Sequence, residues 1–335
     1  MRSSFAQRAA LWALLLAALS GCSSIEVALG LRMRLDKIPV TALTATLTPA
    51  QGIAPGATGL LTLIAATDDG KTYATVGAGG GKVLFDSYRL DASIVSVSSK
   101  GVVSMPADAR LSDGQSPRLT ATVVTHPEVS ATLEIPVRYD ADFKATFVGS
   151  AGADGLSGMD GSAGMAGTNG SIDLNNPSAG GNGGNGGDGS NGGDGGDGGP
   201  GPSVFVLLTL RAKPQPLLQA RVSGNGADRY FLIDPDKGSL TVSSDGGRAG
   251  SGGRGGRGGA GGAGGSGSPP GSPGLAGMDG RRGWDGRPGA AGKIIATVDP
   301  SAQPYLARLH LLTHDGGGAA GPAPQITIAP VGGLW

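Results

Sequence analysis

The 335-residue chain has one cysteine, Cys22, so no disulfide can form within it. Aromatic residues make up only 4% of the chain while glycine alone counts 65, a balance that excludes a single large hydrophobic core. Formal net charge is zero, which leaves no electrostatic case for nucleic acid or for an acidic partner. Gly-x-Ser-x-Gly, the strand-to-helix elbow that exposes a serine nucleophile, occurs nowhere. Gly77 to Lys82 has the look of a phosphate loop. Val76 stands where its first glycine belongs, and Val83 where a magnesium-binding Ser or Thr belongs, so the segment reads as a glycine-rich turn.

What is present begins at the N-terminus. Arg2 and Arg8 precede an apolar run, Ala9 to Leu19, that is too short to cross a bilayer comfortably. It leads into Leu19-Ser20-Gly21-Cys22. This tetrapeptide resembles the lipobox of bacterial lipoproteins. The resemblance implies a signal peptide over 1–21, cleavage before Cys22, acylation of its sulfur and a lipidated linker over 22–37. In the Gram-negative family an aspartate after the cysteine favours the inner membrane, so Ser23 implies the outer one. Membrane lipid is then the partner held through Cys22, with acyl burial contributing about 0.8 kcal/mol per CH₂.

Residues 38–140 alternate apolar and polar positions. Leu43, Ala45 and Leu47 interleave with threonines, as do Leu119, Ala121 and Val123. Period two with Thr and Val enrichment predicts half-buried strands. Asp69-Gly70, Lys100-Gly101 and Asp113-Gly114 predict the turns between them, and the spacing predicts a β-sandwich. The run Ser93-Ile94-Val95-Ser96-Val97 through Gly101 and Val103 resembles bacterial Ig-like domains of the Big-2 type. That family's central-strand tryptophan is absent, with Leu84 or Phe85 in its place. Such domains act as spacers or adhesive modules.

Over 141–335 glycine recurs at every third residue in four stretches of near-equal length: 149–171, 180–202, 246–267 and 271–292. Three readings fit: a collagen-like trimeric stalk, disorder, and polyglycine II helices packed within one chain. Few triplets carry proline and many read Gly-Gly-x, which weakens the trimer. Strict phase and matched lengths weaken disorder. A single-chain bundle, hence a monomer, is the expectation, with each helix roughly 65–70 Å long at about 3.1 Å per residue. The second and third stretches are mostly Gly-Gly-x and are expected inside, with the first and fourth outside. Ser268-Pro269-Pro270 is expected to turn the third into an antiparallel fourth. Asp188, Asp194 and Asp197 are expected beside Arg248, Arg254 and Arg257.

Strand candidates flank these stretches at 204–210, 217–223, 230–233, 239–243, 293–298, 305–312 and 325–328. They are expected to form a β platform (203–245 and 293–335) at one end, with Leu334-Trp335 packed against it. The expected fold class is therefore all-β plus polyglycine II: an Ig-like β-sandwich followed by a four-helix polyglycine II bundle capped by an antiparallel β-sheet.

Chemistry-bearing clusters are sparse. His310 and His314 lie four apart in a strand, roughly 13 Å from each other, too far to share one ion. The column Asn182, Asn185, Asp188, Asn191, Asp194, Asp197 lacks the nine-residue period and aliphatic positions of calcium-binding repeats and reads as a polar edge. Trp284, among Arg281, Arg282, Asp285 and Arg287, is the most unusual aromatic: a contact for a glycan or partner, or a side chain packed on the platform or on the first module. Glycine-helix bundles of this kind resemble those of some phage adhesins and of an antifreeze protein, which extends the options to ice. The expected function is structural or adhesive at the cell envelope, without catalysis, metal or cofactor. A trimeric stalk and a hydrolase or metal-dependent enzyme are the alternatives.

Overall fold

A computed structural model describes residues 26–335 apart from residue 28. The first module runs β1 (Val40–Thr48), β2 (Thr58–Thr67), β3 (Thr72–Ala74), β4 (Tyr88–Ala92), β5 (Ser96–Val97), β6 (Val102–Ser104), β7 (Arg118–Val123) and β8 (His126–Glu134). One sheet has the order β1-β2-β6-β5 with β3 added to β2, and the other the order β4-β7-β8. Alternation aims one face of each strand inward. Leu61, Leu63 and Val103 thereby meet Leu119, Ala121 and Val123 in one buried core. Phe85 joins that core from a short 3-10 turn rather than from a strand. Gly101 turns at φ +76° directly over its ring, where a Cβ would lie 2.2 Å from Phe85 Cζ.

The second module runs β9 (Asp142–Val148), β10 (Ser203–Arg211), β11 (Leu217–Gly224), β12 (Ala227–Ile233), β13 (Ser239–Asp245), β14 (Lys293–Val298), β15 (Leu309–His314) and β16 (Gln325–Ile328). Two sheets, β12-β11-β10-β14-β16 and β15-β13-β9, close on a core that includes Phe143, Phe147, Val206, Leu240, Val242 and Ile294. Asn225-Gly226, both at positive φ, make the tight turn between β11 and β12.

The expected fold class needs correction on two points. No four-helix bundle is present among the described residues: the four glycine stretches carry no helix, and the helical residues lie at 26–27 and in 3-10 segments of the β modules. The physical reason lies in where the amides go. An α-helix closes i to i−4 bonds within one segment; here the glycine amides donate sideways, to carbonyls of neighbouring extended segments. The cap is also not an antiparallel sheet. β10 pairs parallel with β14, β14 with β16, and β13 with both β9 and β15. β9, for which the sequence carries no strand expectation, belongs to this sandwich.

Parallel pairing follows from how the chain is laid out twice. β9, the first glycine segment, the second and β10 form one long hairpin; β13, the third segment, the fourth and β14 form another. The hairpins lie side by side. Asp142 pairs with Ser239 and Ser203 with Lys293, offsets of 97 and 90. The same offsets persist through the glycine segments, where Ser251 N meets Asp154 97 residues away and Ser272 N meets Asn182 90 away.

One backbone amide in three bonds laterally to a carbonyl in the first, third and fourth segments, and two in three in the second. Gly152 donates to Arg248 O at 2.8 Å, Gly184 to Met165 O at 2.7 Å, and Gly186 to Leu275 O at 2.8 Å. Gly259 donates to Gly187 O and Gly277 to Gly259 O, both at 2.8 Å. The second and third segments thus each touch three neighbours, and the first and fourth touch two. Such contact tolerates no Cβ: one on Gly259 would stand 2.0 Å from Ser162 O, and one on Gly186 2.0 Å from Gly259 O. All of these partners lie in one chain.

Tyr305 to Arg308 are not strand. Pro300 and Pro304 hold Pro300–Arg308 in a 3-10 stretch, capped by Asp299 Oδ1 accepting from Ser301 N at 2.9 Å. The two modules meet at Ala109, Leu217 and Leu232, buried beside Tyr139. Trp335 packs edge-on against Tyr230, and its Nε1 donates to Asp113 Oδ2 at 2.8 Å.

Candidate interaction surface

The side chains that the glycine segments do carry are held by the same backbone lattice. In the second segment every third position is Asn or Asp, and each accepts an amide of the fourth. Asn182 takes Ser272 N, Asn185 takes Leu275 N, Asp188 takes Met278 N and Asn191 takes Arg281 N, over 2.7–2.9 Å. Asp194 takes Trp284 N at 2.7 Å and Asp197 takes Arg287 N at 2.6 Å. These amides have no partner within their own segment, so the ladder satisfies donors that would otherwise bond only water. Asp154 and Asp160 cap the third segment from the first, and Asp279 and Asp285 from the fourth. Gly252 N–H, aided by Arg282, holds the Asp285 carboxyl below the usual carboxylate value.

The Asx column is therefore a backbone cap. No group of three or more His, Cys, Asp or Glu able to hold a metal ion occurs among the described residues. The expected register of Asp188, Asp194 and Asp197 against Arg248, Arg254 and Arg257 is not found as ion pairs among the described residues, because the carboxylates turn to the fourth segment instead of the third. His314 Nδ1 lies 3.0 Å from Asp245 Oδ1, a strand-end contact that His310 does not share. Gly77–Gly79 is a 3-10 turn, with Gly77 and Gly80 at positive φ. Cys22 lies outside the described residues. Among the described residues no helix is long and apolar enough to cross a membrane.

Trp284 is 81% exposed, so it does not pack on the platform. It has company that its triplet phase could have revealed. Leu156, Met159 and Met165 of the first segment, and Leu275 and Met278 of the fourth, all follow a glycine directly, and all are 73–83% exposed. The carbonyls of Leu156 and Met165 accept from Gly193 and Gly184; those of Trp284 and Leu275 accept from Gly195 and Gly186. Two apolar columns thus border the second segment on either side. Leu156 stands level with Trp284 and Met165 level with Leu275. Between them run bare glycines and the Asx column. Large apolar groups are seldom left outside in such a row on a monomer. Ile172 and Leu174, in the turn at the tip, are 75% and 96% exposed.

No family model, curated protein or solved structure matches the chain.

Proposed function

We propose that the chain is a non-catalytic lipoprotein of the bacterial outer membrane, anchored through acylated Cys22, with a structural or adhesive role at the cell envelope. The first β module acts as a spacer of the Big-2 type. The glycine segments form a stiff platform whose side chains meet a partner, a glycan or an envelope protein. One observation carries the adhesive role: six large apolar side chains stand exposed in two columns on a backbone locked by lateral hydrogen bonds. A folded chain keeps such columns outside when they meet something else. Leu19-Ser20-Gly21-Cys22 supports the anchoring.

Metabolic labelling with a palmitate analogue, followed by membrane fractionation, tests the anchor. The expected result is label in the outer-membrane fraction, lost with Cys22→Ser. Label retained by that variant, or a soluble wild-type chain, overturns it. Adhesion of cells carrying wild-type or Trp284→Ala protein to glycan and envelope-protein arrays tests the contact surface, with reduced retention expected for the variant.

A further inference from the structure

The Asx column has a property that capping does not require. Read from the tip it runs Asn182, Asn185, Asp188, Asn191, Asp194, Asp197. Either residue accepts a backbone amide through Oδ1, so six asparagines or six aspartates would cap equally well. The order present is complementary to its own reverse. Turned end for end, Asp197 falls on Asn182, Asp194 on Asn185 and Asp188 on Asn191. No aspartate falls on an aspartate. In a side-by-side arrangement without reversal all three do, and like charges set opposite one another are destabilising.

We propose that this face is a two-fold interface: two copies of the chain pack their second segments face to face and antiparallel. This deepens the reading of the platform as a contact surface by naming a second copy as its partner. Each Asp offers its outer oxygen to the Nδ2 amide of the partner's Asn, while both keep their Oδ1 on the backbone caps. The apolar columns follow the same axis. Trp284 lies over Leu275 of the other copy, and Leu156 near Met165 of the other copy. Trp284, an aromatic of roughly 150–250 Å², and the five Leu and Met side chains of the columns are 73–83% exposed and contribute to this face together with the Asx column and the glycine backbone. A standard interface takes about 800 Å² from each partner.

The axis falls near Gly189 and Ser190, in the middle of the segment, so the glycine platforms overlap along their length. Each β sandwich then sits just beyond the other copy's tip. That brings Ile172 and Leu174 of one tip to the outer face of the other copy's β10, where Phe205 is 51% exposed. An isologous contact of this kind closes on itself and does not propagate into fibres. The monomer expected from sequence describes how the segments find one another within a chain; the dimer adds a second association.

Equilibrium sedimentation of the full secreted chain in Cys22→Ser form, without lipid to drive association, tests this. The expected result is a concentration-dependent dimer. Asn185→Asp sets two aspartates against two and weakens it by about tenfold or more. Adding Asp194→Asn to that variant restores the dimer, because the reversed order is complementary again. Without reversal the double variant would still set like on like and stay weak. Circular dichroism shows whether each variant stays folded, since either residue keeps the cap. A monomer at all concentrations, an unaffected Asn185→Asp dimer, or a double variant that is not rescued overturns the proposal. So does a monomer that binds phosphatidylcholine–phosphatidylglycerol vesicles through Trp284. A monomer would leave lipid labelling at Cys22 standing, and loss of labelling would leave the dimer standing.

Discussion

The amide of Met278 donates to Oδ1 of Asp188 at 2.7 Å, across 90 residues of sequence. The contact ties the second glycine segment to the fourth at a point where neither has a side chain to bury. Asp188→Ala leaves that amide to water and is expected to cost about 0.5–1.5 kcal/mol. Asp188→Asn keeps the acceptor and is expected to be nearly neutral for folding. Urea midpoints at constant m-value separate the two.

The inner glycines are expected to be far less forgiving. A Cβ on Gly259 meets Ser162 O at 2.0 Å and Ser162 C at 2.5 Å, both backbone, so no side chain can swing aside. Gly259→Ala must push neighbouring segments away from each other and is expected to lower stability by about 3 kcal/mol or more. Gly332→Ala, with nothing within 4 Å of its Cβ, is the matched control and leaves the thermal midpoint unchanged.

Much of this arrangement is legible in the sequence, though not its type. Gly-Gly-x triplets mark the second and third segments, and these are the ones with three backbone neighbours. The period of three specifies contact between bare backbones. It does not specify the direction of the strands that feed them, so an antiparallel cap is the natural expectation until β9 is seen to pair with β13. Asp142 to Val148 runs straight into the first glycine triplet, which hides it as a strand. The Asx caps escape a one-dimensional reading because each acceptor and its amide are 90 or 97 residues apart. Trp284 stands out by rarity, while Leu156 and Met278 pass as ordinary until their shared triplet phase places them beside one segment.

A further expectation concerns acid. Gly252 N–H, then Arg282, holds the carboxyl of Asp285 below its ordinary value of 3.8. A depressed folded-state value means that the stabilisation is complete above about 3.8 and is lost as pH falls through the lower folded value. The carboxyl is exposed, so the effect is small and local. Amide exchange at Gly252, after correction for intrinsic rates, is expected to accelerate as pH drops below 3.8. Asp285→Asn keeps a neutral acceptor and removes that pH dependence. A wild-type profile on acidification no different from that of Asp285→Asn speaks against the contact.

At the join between the two β modules one carboxylate serves two partners. Arg211 Nη1 lies 2.5 Å from both oxygens of Asp113, and Trp335 Nε1 donates to the same Oδ2 at 2.8 Å. The Asp113 and Arg211 side chains are only 14% and 20% exposed, so removing either partner strands a charge in poor contact with water. Beside this carboxylate lie the apolar contact of Ala109, Leu217 and Leu232, and the Arg110 guanidinium 3.6 Å over the Tyr230 ring. Arg211→Ala is therefore expected to weaken the join by about 2–3 kcal/mol while leaving each core intact. Calorimetry then shows two transitions where the wild type shows one, and the emission of Trp335 shifts red at the first of them. Asp113→Asn, which still offers Trp335 an acceptor but has no charge for Arg211, is expected to fall between the two. A single unshifted transition in Arg211→Ala would mean that the apolar cluster and the Arg110–Tyr230 contact hold the modules together without it.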